Sequence, residues 1–397
     1  MRTRLPIAAA CLLMAAACGG GEPAAPPPAV PPSGSAPATP APVATGETDA
    51  SPEWRVVPGA RTRPSSALLD VAATGPGDAW AVGYERAAED DEGRPTLQHW
   101  DGERWRLTRL DPAEVVHLEG VDARDPRDAW VVGHGRYAYA AHWDGARWTG
   151  HRPFGVAAEY NLTDVAVTRE VTWLVAHSGT QGQVVAWDGQ AFRRAFQADG
   201  YFQAVTASKG HVWAVGADAA VSSGTPSTPM VWHGKAEKGG AYSWQRGRTP
   251  DVPGGVLQAV WAVSPTDIWA VGSVTAPGGG AKTPLVLRSD GEAWWQVPVP
   301  VAAGELGGVT ALAADDVFIT GVDAAHSGQV LILRFDGGAW DTSYGPLLRR
   351  EQENQQYPQS DDVGRTAVAQ VPGTSRLWVA GAVGWGDEED DFFLRRG

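Results

Sequence analysis

The segment Gly-Asp-Ala-Trp-Ala-Val-Gly at residues 77–83 constrains the fold more than any other feature, because the chain repeats it. Close copies stand at residues 128–133, 213–216 and 267–272, and weaker copies keep only an aromatic residue at the place of Trp80. The aromatic anchors are Trp80, Trp130, Trp173, Trp213, Trp269, Phe318 and Trp378. A fixed core that returns every 40 to 60 residues, with insertions of variable length, indicates an architecture of structural repeats.

Each repeat contains four segments with β-strand patterns. The first carries Leu-x-x-Val, as at Leu68 and Val71, and the second is the Trp-Ala-Val-Gly segment. The third ends in Trp-Asp-Gly, as at residues 100–102, and an aromatic residue such as Trp105 opens the fourth. Asp-Gly between two strand patterns favours a tight hairpin turn. The sequence therefore predicts an all-β protein made of four-stranded antiparallel blades.

The last repeat ends after its third strand pattern, at residues 392–394, and lacks a fourth. A matching segment stands at the other end of the repeat region, at residues 53–57, with Trp54 in the aromatic position. Pairing of these two segments closes the ring and removes the open sheet edges. We therefore predict a seven-bladed β-propeller over residues 53–397, in which the N-terminal strand completes the last blade.

The residues before the propeller have a different composition. Residues 1–17 combine the basic Arg2 and Arg4 with a short apolar stretch, which predicts a secretory signal. Cys18 follows small residues, so this region resembles a bacterial lipoprotein signal, and the resemblance implies lipidation of Cys18 and delivery to the outer membrane. Ordinary cleavage beside an incidental cysteine is the alternative. Residues 18–52 are rich in proline, alanine and glycine, which predicts a disordered tether.

The repeat motifs resemble those of known propellers. Asp-Gly-x-x-Trp is similar to the Asp-box of sialidase-like propellers, and the Trp-Asp ending of the third strand is similar to WD40 blades. Bacterial exported propellers built from Asp-x-Trp-Ala-Val-Gly and Trp-Asp-Gly-x-x-Trp repeats resemble residues 53–397 most fully. This resemblance implies the fold and little about function, because propellers have many unrelated activities.

Charge and cysteine content narrow the classes of partner. The net charge of −14 disfavours nucleic acid and anionic membrane surfaces, so we expect membrane attachment only through the lipid. Cys11 and Cys18 are the two cysteines, so the exported domain has no pair of thiols for a disulfide. We expect a monomer whose partner is a protein or a glycan of the envelope.

The loops favour one face of the ring. The connections between strands two and three, and between successive blades, leave from the same face, and they include the long segments 84–96, 217–229, 273–283 and 341–362. We expect the binding site on that face. Its candidate residues are Glu85, Glu89, Asp90, Asp91, Glu92, Trp385, Asp387, Glu388, Glu389, Asp390 and Asp391.

The two acidic runs among these residues should meet, because the first and last blades are neighbours in a closed ring. Such carboxylates can bind calcium, here through Asp90, Asp91, Asp390 and Asp391, or attract a basic partner. A solvated acidic surface is the alternative, since neither run has the spacing of an ordered calcium loop. No other cofactor is expected.

Catalytic motifs are not found in the sequence. The nine histidines show no His-Glu-x-x-His spacing, and there is no Gly-x-Ser-x-Gly motif. His99 and His142 occupy equivalent strand positions, which indicates a structural role. We predict a surface-tethered, non-catalytic binding or scaffolding protein; the alternative is a carbohydrate-active hydrolase or lyase. An arginine-lined pore would favour the enzyme, and a pore plugged by apolar side chains would favour the binding protein.

Overall fold

The computed structural model describes residues 53–397 apart from residues 64, 88–89, 111–114, 154–158, 219–225, 277, 350–361 and 386–387. The described residues form strands and connections, and among them we find no helix that could cross a membrane. The predicted signal, Cys18 and the tether lie outside the described residues, as do Glu89 and Asp387.

The strands form seven antiparallel four-stranded sheets, which confirms the predicted fold class. In chain order they are β1 Trp54–Val57, β2 Ser66–Gly75, β3 Asp78–Ala87, β4 Asp90–Trp100, β5 Trp105–Leu107, β6 Val115–Asp125, β7 Asp128–Gly135, β8 Ala138–Trp143, β9 Trp148–His151, β10 Asn161–Val167, β11 Thr172–His177, β12 Gln181–Trp187, β13 Phe192–Asp199, β14 Tyr201–Ser208, β15 His211–Ala217, β16 Pro229–Ala236, β17 Tyr242–Arg246, β18 Gly255–Ser264, β19 Asp267–Thr275, β20 Lys282–Ser289, β21 Trp294–Gln296, β22 Gly304–Ala313, β23 Asp316–Asp323, β24 Val330–Phe335, β25 Trp340–Tyr344, β26 Asp362–Gln370, β27 Leu377–Trp385 and β28 Glu388–Arg396.

Blades 1 to 6 each consist of four consecutive strands, starting with β2–β5. Blade 7 has the order β1-β28-β27-β26, so the N-terminal strand is its outermost strand. Trp54 pairs with Arg396 and Val57 with Phe393 in antiparallel register. The predicted closure of the ring by the N-terminal strand is consistent with this pairing.

The glycine that ends each Trp-Ala-Val-Gly copy has a steric cause. In blade 1, β2 bulges between Leu68 and Asp70, and the bulge brings the carbonyl oxygen of Ala67 close to Gly83. A Cβ atom at Gly83 would lie 1.9 Å from that oxygen, far inside van der Waals contact. Gly133, Gly216 and Gly272 meet the first strand of their own blades in the same way. The repeated glycine therefore permits a repeated β-bulge.

The repeated Asp-x-Trp positions are linked by a side chain from the third strand. In blade 1, His99 lies 2.7 Å from Asp78 and stacks on Trp80 with ring centroids 4.0 Å apart. In blade 5, Arg288 donates to Asp267 and lies over the ring of Trp269. The structural role predicted for His99 is consistent with this arrangement, which fixes the rotamer of the buried tryptophan.

Neighbouring blades share their apolar cores. Trp80 and Val82 of blade 1 pack in one buried cluster with Leu118 and Val121 of blade 2. Trp54, Leu394 and other residues of blade 7 pack with blade 6 in the same manner. Trp294 is the buried member of the Trp294–Trp295 pair, and Trp295 is 42% exposed.

Two sequence interpretations of the loops are wrong. Residues 84–96 are not an irregular connection, because β3 and β4 pair as far as Ala87 and Asp90. Trp385 does not sit in a loop, since it pairs with Glu388 as the last residue of β27. Both segments resemble loops in the sequence because they are acidic and contain glycine. Extending the hairpins satisfies the backbone hydrogen bonds that a loop would leave to water.

Candidate functional site

The seven innermost strands surround a central channel with a volume of about 560 Å³. Its charged side chains are Asp70, Glu119, Asp122, Asp164, Lys282, Glu305 and Arg365. Among the described residues that line it, Arg365 is the only arginine. Over the part of the chain that the structure describes, the channel therefore has neither the arginine cluster that would favour the enzyme alternative nor an apolar plug. It is a polar channel with an excess of carboxylates.

Three of these aspartates connect neighbouring blades. Asp70 accepts hydrogen bonds from the backbone N–H of Val71 in its own strand and of Val121 in blade 2, both at 2.8 Å. Asp164 makes the equivalent pair of bonds between blades 3 and 4, to Val165 and Val205. Asp122 stands at a different position along its strand and links blades 2 and 3. It accepts hydrogen bonds from the backbone N–H groups of Ala123 and Val167. These interblade aspartates explain why carboxylates occupy the channel wall.

The interblade aspartates have raised pKa values. Burial is the largest cause, and it raises the pKa of Asp70 to about 7 and that of Asp122 to about 6, against the lowering effect of their backbone hydrogen bonds. Burial also raises the pKa of Asp164, and the nearby charge of Asp70 adds to the increase. The three groups therefore resist full ionisation together at neutral pH.

One end of the channel, which we call the mouth, is where the first strands begin and the second strands end. Here His117 on β6 pairs across the sheet with His134 on β7, and Glu119 occupies the bulge that follows Leu118. The Nδ1 atoms of His117 and His134 lie 3.7 and 3.6 Å from the same oxygen, Oε1 of Glu119. The three side chains are thus brought together by one hairpin of blade 2.

The protonation of this group follows from its surroundings. Burial lowers the pKa of His134 and would raise that of Glu119. For Glu119 the electrostatic effects of the neighbouring His117, His134 and Arg365 outweigh burial, so its pKa is lowered. Glu119 is therefore an anion beside an imidazole that resists protonation.

Polar aromatic side chains extend this group around the mouth. Tyr84 of blade 1 stacks on His117 with ring centroids 4.3 Å apart, and its hydroxyl donates to Glu389 of blade 7 at 3.0 Å. His177 of blade 3 packs against Tyr201 of blade 4, with centroids 5.5 Å apart. Four consecutive blades and blade 7 thus contribute to one polar rim.

Sequence reasoning missed the histidines and Tyr84, although a signal was present. Tyr84, His134 and His177 occupy equivalent places, at or next to the end of the Trp-Ala-Val-Gly copies of blades 1, 2 and 3. Superposing the repeats, rather than searching for catalytic motifs, would have placed them on one ring. Trp261 is also accessible in the channel, since it is 36% exposed and lines the wall.

The predicted acidic residues are only partly brought to the mouth. The contact between Tyr84 and Glu389 joins blades 1 and 7 there, and Glu85 accepts a hydrogen bond from the backbone of Arg63. Asp391 has a different environment, because both of its carboxylate oxygens accept hydrogen bonds. Its donors are Thr62, Ser66 and Gln98.

Asp391 thus joins blade 7 to blade 1 as a structural residue. Asp90, Asp91 and Glu92 belong to β4, and Glu388 and Asp390 belong to β28. Calcium binding through Asp90, Asp91, Asp390 and Asp391 stays a prediction.

These features define the class of protein as a seven-bladed β-propeller with a polar, acidic channel. The chain is similar to YCF48 bound to a D1 peptide, with 16% identity, a TM-score of 0.54, and coverage of 87% of this chain and 96% of that one. For YCF48 from Cyanidioschyzon merolae the identity is 14%, the TM-score 0.53, and the coverage 87% and 98%.

The WD40 β-propeller domain of Doa1 is 12% identical with a TM-score of 0.51, over 86% of this chain and 97% of that one. No protein-family model and no curated protein matches the sequence. At these identities the likeness shows the fold and leaves the function to be argued from the site.

Proposed function

We propose that this propeller is a non-catalytic binding protein of the bacterial envelope, and that it binds a basic segment of a protein at the mouth of the channel. The observation that supports this most strongly is the composition of the channel. Five carboxyl groups line the channel with two basic residues, although the three interblade aspartates are only partly ionised, and the rim carries paired Tyr and His side chains. Aromatic rims around a charged depression suit lysine and arginine side chains, whose stems pack on rings while their charges meet carboxylates.

The balance of charge at the mouth favours a cationic ligand. Lys282 is paired with Glu305, and Arg365 lies near Glu119, so the two basic residues of the channel are already compensated. Glu389 and the net charge of −14 add negative potential around the opening. Negative potential around an opening concentrates cationic ligands there and accelerates their association.

The similarity to YCF48 supports a peptide ligand, because the structure of that propeller is of YCF48 bound to a D1 peptide. The similarity supports peptide binding by a propeller of this kind and says nothing about the sequence of the peptide. The enzyme alternative has less support, since the described channel residues include a single arginine. A glycan is a different outcome, which the experiment below separates from a peptide.

Attachment to the outer membrane through Cys18 is part of the same proposal. Its support is the sequence alone, namely the small residues before Cys18 and the proline-rich stretch that follows. A proline-rich tether of about 35 residues would extend up to roughly 100 Å. That reach would let the mouth contact proteins held in or near the membrane.

The proposal is tested by measuring the binding of the purified chain to arrays of lysine- and arginine-containing peptides, of acidic peptides and of glycans. We expect selected basic peptides to bind, with an affinity that falls as salt increases. The double variant Glu389→Gln, Asp390→Asn should weaken binding. The matched control, Glu103→Gln with Glu292→Gln, neutralises exposed charges in the tight turns at the other end of the ring. Equal losses in the two variants, or binding of glycans alone, would contradict the proposal.

A further inference from the structure

The group formed by His117, Glu119 and His134 has the composition of a metal site. Two imidazoles and one carboxylate each offer a ligand atom, and these atoms all lie within 4.8 Å of one another. Among the described residues this is the one group of three or more such side chains at that spacing. It stands at the mouth and does not depend on the proposed binding of a peptide.

The separations between the ligand atoms are close to those found around a bound metal ion. Ligand atoms at about 2.0–2.1 Å from a tetrahedral zinc ion are separated from each other by about 3.3 Å. The two distances from Nδ1 to Oε1 of Glu119 are 3.7 and 3.6 Å. These two separations need to shorten by a few tenths of an ångström, and the ligand atoms of the two histidines lie within 4.8 Å of each other.

The hydrogen bonding of His134 gives a second, independent reason. Its Nδ1 atom is fully buried and makes no hydrogen bond with the protein. A buried polar atom without a partner is costly, and native structures rarely keep one without a use. A lone pair on an imidazole nitrogen is the group that binds a transition metal.

The local structure holds the ligands in place. His117 and His134 are cross-strand partners, and the bulge at Glu119 turns that side chain toward both of them. Tyr84 stacks on His117 and is itself fixed by its hydrogen bond to Glu389. Orientation of metal-binding imidazoles by surrounding residues is a usual feature of metal sites.

We propose that His117, Glu119 and His134 bind a divalent transition metal ion, for which zinc is the best-suited candidate. Two imidazoles and a carboxylate suit zinc and disfavour calcium and magnesium, which prefer oxygen ligands. Three protein ligands keep a coordination position for water or for a side chain of a partner. Glu389 at the mouth and the net charge of −14 favour the approach of a cation.

The test is calorimetric titration of the full chain, stripped with a chelator, with zinc chloride. We expect one equivalent of zinc to bind per chain. His134→Ala and Glu119→Gln should each weaken this binding at least about 10-fold, the loss that even an outer-shell change produces. Cobalt(II) titration gives a second readout, because tetrahedral coordination intensifies its visible absorption.

The matched control is His233→Ala, which disrupts the other close histidine pair, in which His211 Nδ1 lies 2.8 Å from His233 Nε2. It should leave zinc affinity unchanged. Melting curves of the stripped variants show whether each one folds, and Glu119→Gln keeps the shape of the side chain if His134→Ala does not fold. The absence of stoichiometric zinc binding, or loss of binding in His233→Ala rather than in Glu119→Gln, would overturn the proposal.

Discussion

Replacement of Trp54 by alanine tests whether the N-terminal strand closes the ring. Trp54 is only 5% exposed and belongs to the buried cluster shared by blades 6 and 7. Its cluster partners include Phe318, Val330 and Leu394, which come from the opposite end of the chain. A change at position 54 should therefore destabilise blades 6 and 7, although residue 54 comes just before blade 1 in the sequence.

The size of the effect follows from the burial. Truncation of a large aromatic residue in a packed core costs about 3–5 kcal/mol. This is a large part of the 5–15 kcal/mol or so by which typical folded domains are stable. The melting temperature should fall by about 5–10 °C, given that 1 kcal/mol shifts a large domain by only a few degrees. The backbone pairing of β1 with β28 would remain, so the chain should still fold at low temperature.

Thermal unfolding followed by circular dichroism and tryptophan fluorescence measures this change. Trp295→Ala is the matched control, because Trp295 is 42% exposed and its removal should change stability by no more than about 0.5 kcal/mol. Deletion of residues 51–58 should be worse than Trp54→Ala, since β28 would become an unpaired edge that favours aggregation. The reasoning is refuted if Trp54→Ala and Trp295→Ala melt at the same temperature.

Three further predictions concern other parts of the chain. Burial raises the pKa of Asp122 in the folded chain from 3.8 to about 6, so between these pH values the folded chain binds more protons than the unfolded one, and its unfolding free energy should fall as pH rises. A plot of melting temperature against pH should therefore be flatter for Asp122→Asn. An identical slope in the two proteins would count against the raised pKa of Asp122. Gly83→Ala should be severely destabilising because its Cβ would lie 1.9 Å from the Ala67 carbonyl oxygen, whereas Gly75→Ala, with no atom within 4 Å, should be nearly neutral in the same assay. Cys18→Ser should move the protein from the detergent phase to the aqueous phase in a partition experiment, and unchanged partitioning would exclude lipidation.

The fold could be predicted because each blade repeats the same strand patterns and the same turn residues. The Asp-Gly turns and the alternation around Trp80 identify strands without any knowledge of their neighbours. The match of residues 53–57 to a missing strand is also visible in the sequence, since it needs only a count of strands per repeat. Closure then follows from the cost of an open sheet edge.

The site could not be predicted in the same way, because it depends on bulges and interblade contacts that hydrophobic periodicity does not show. A one-residue bulge precedes Asp70 in β2 and Asp164 in β10, and it shifts the side-chain alternation that sequence reasoning relies on. The position of Glu119 relative to His134 depends on such a bulge. The bonds of Asp70 to a neighbouring blade depend on how the sheets pack, which periodicity does not reveal.

For the acidic runs the sequence led to a different error, because strand residues were predicted to lie in loops. Charged, glycine-containing segments such as residues 84–96 suggest solvated loops, but the structure continues the hairpins through Ala87 and Asp90. Asp391 looked like one carboxylate of a surface cluster and is held by donors of blade 1. Sequence shows where charge is concentrated; the pairing of strands decides which of the charges face a partner.

The central claim is that the mouth of the channel is where a partner binds. The most direct measurement is photo-crosslinking in intact cells, with the crosslinking residue placed at Tyr84 or His177 on the rim and, as controls, at Leu107 or Trp295, which are exposed on outermost strands. We expect adducts with one envelope protein from the rim positions, and their loss when a selected basic peptide is added. Adducts that form equally from the outer positions, or that persist in the presence of the peptide, would contradict the claim.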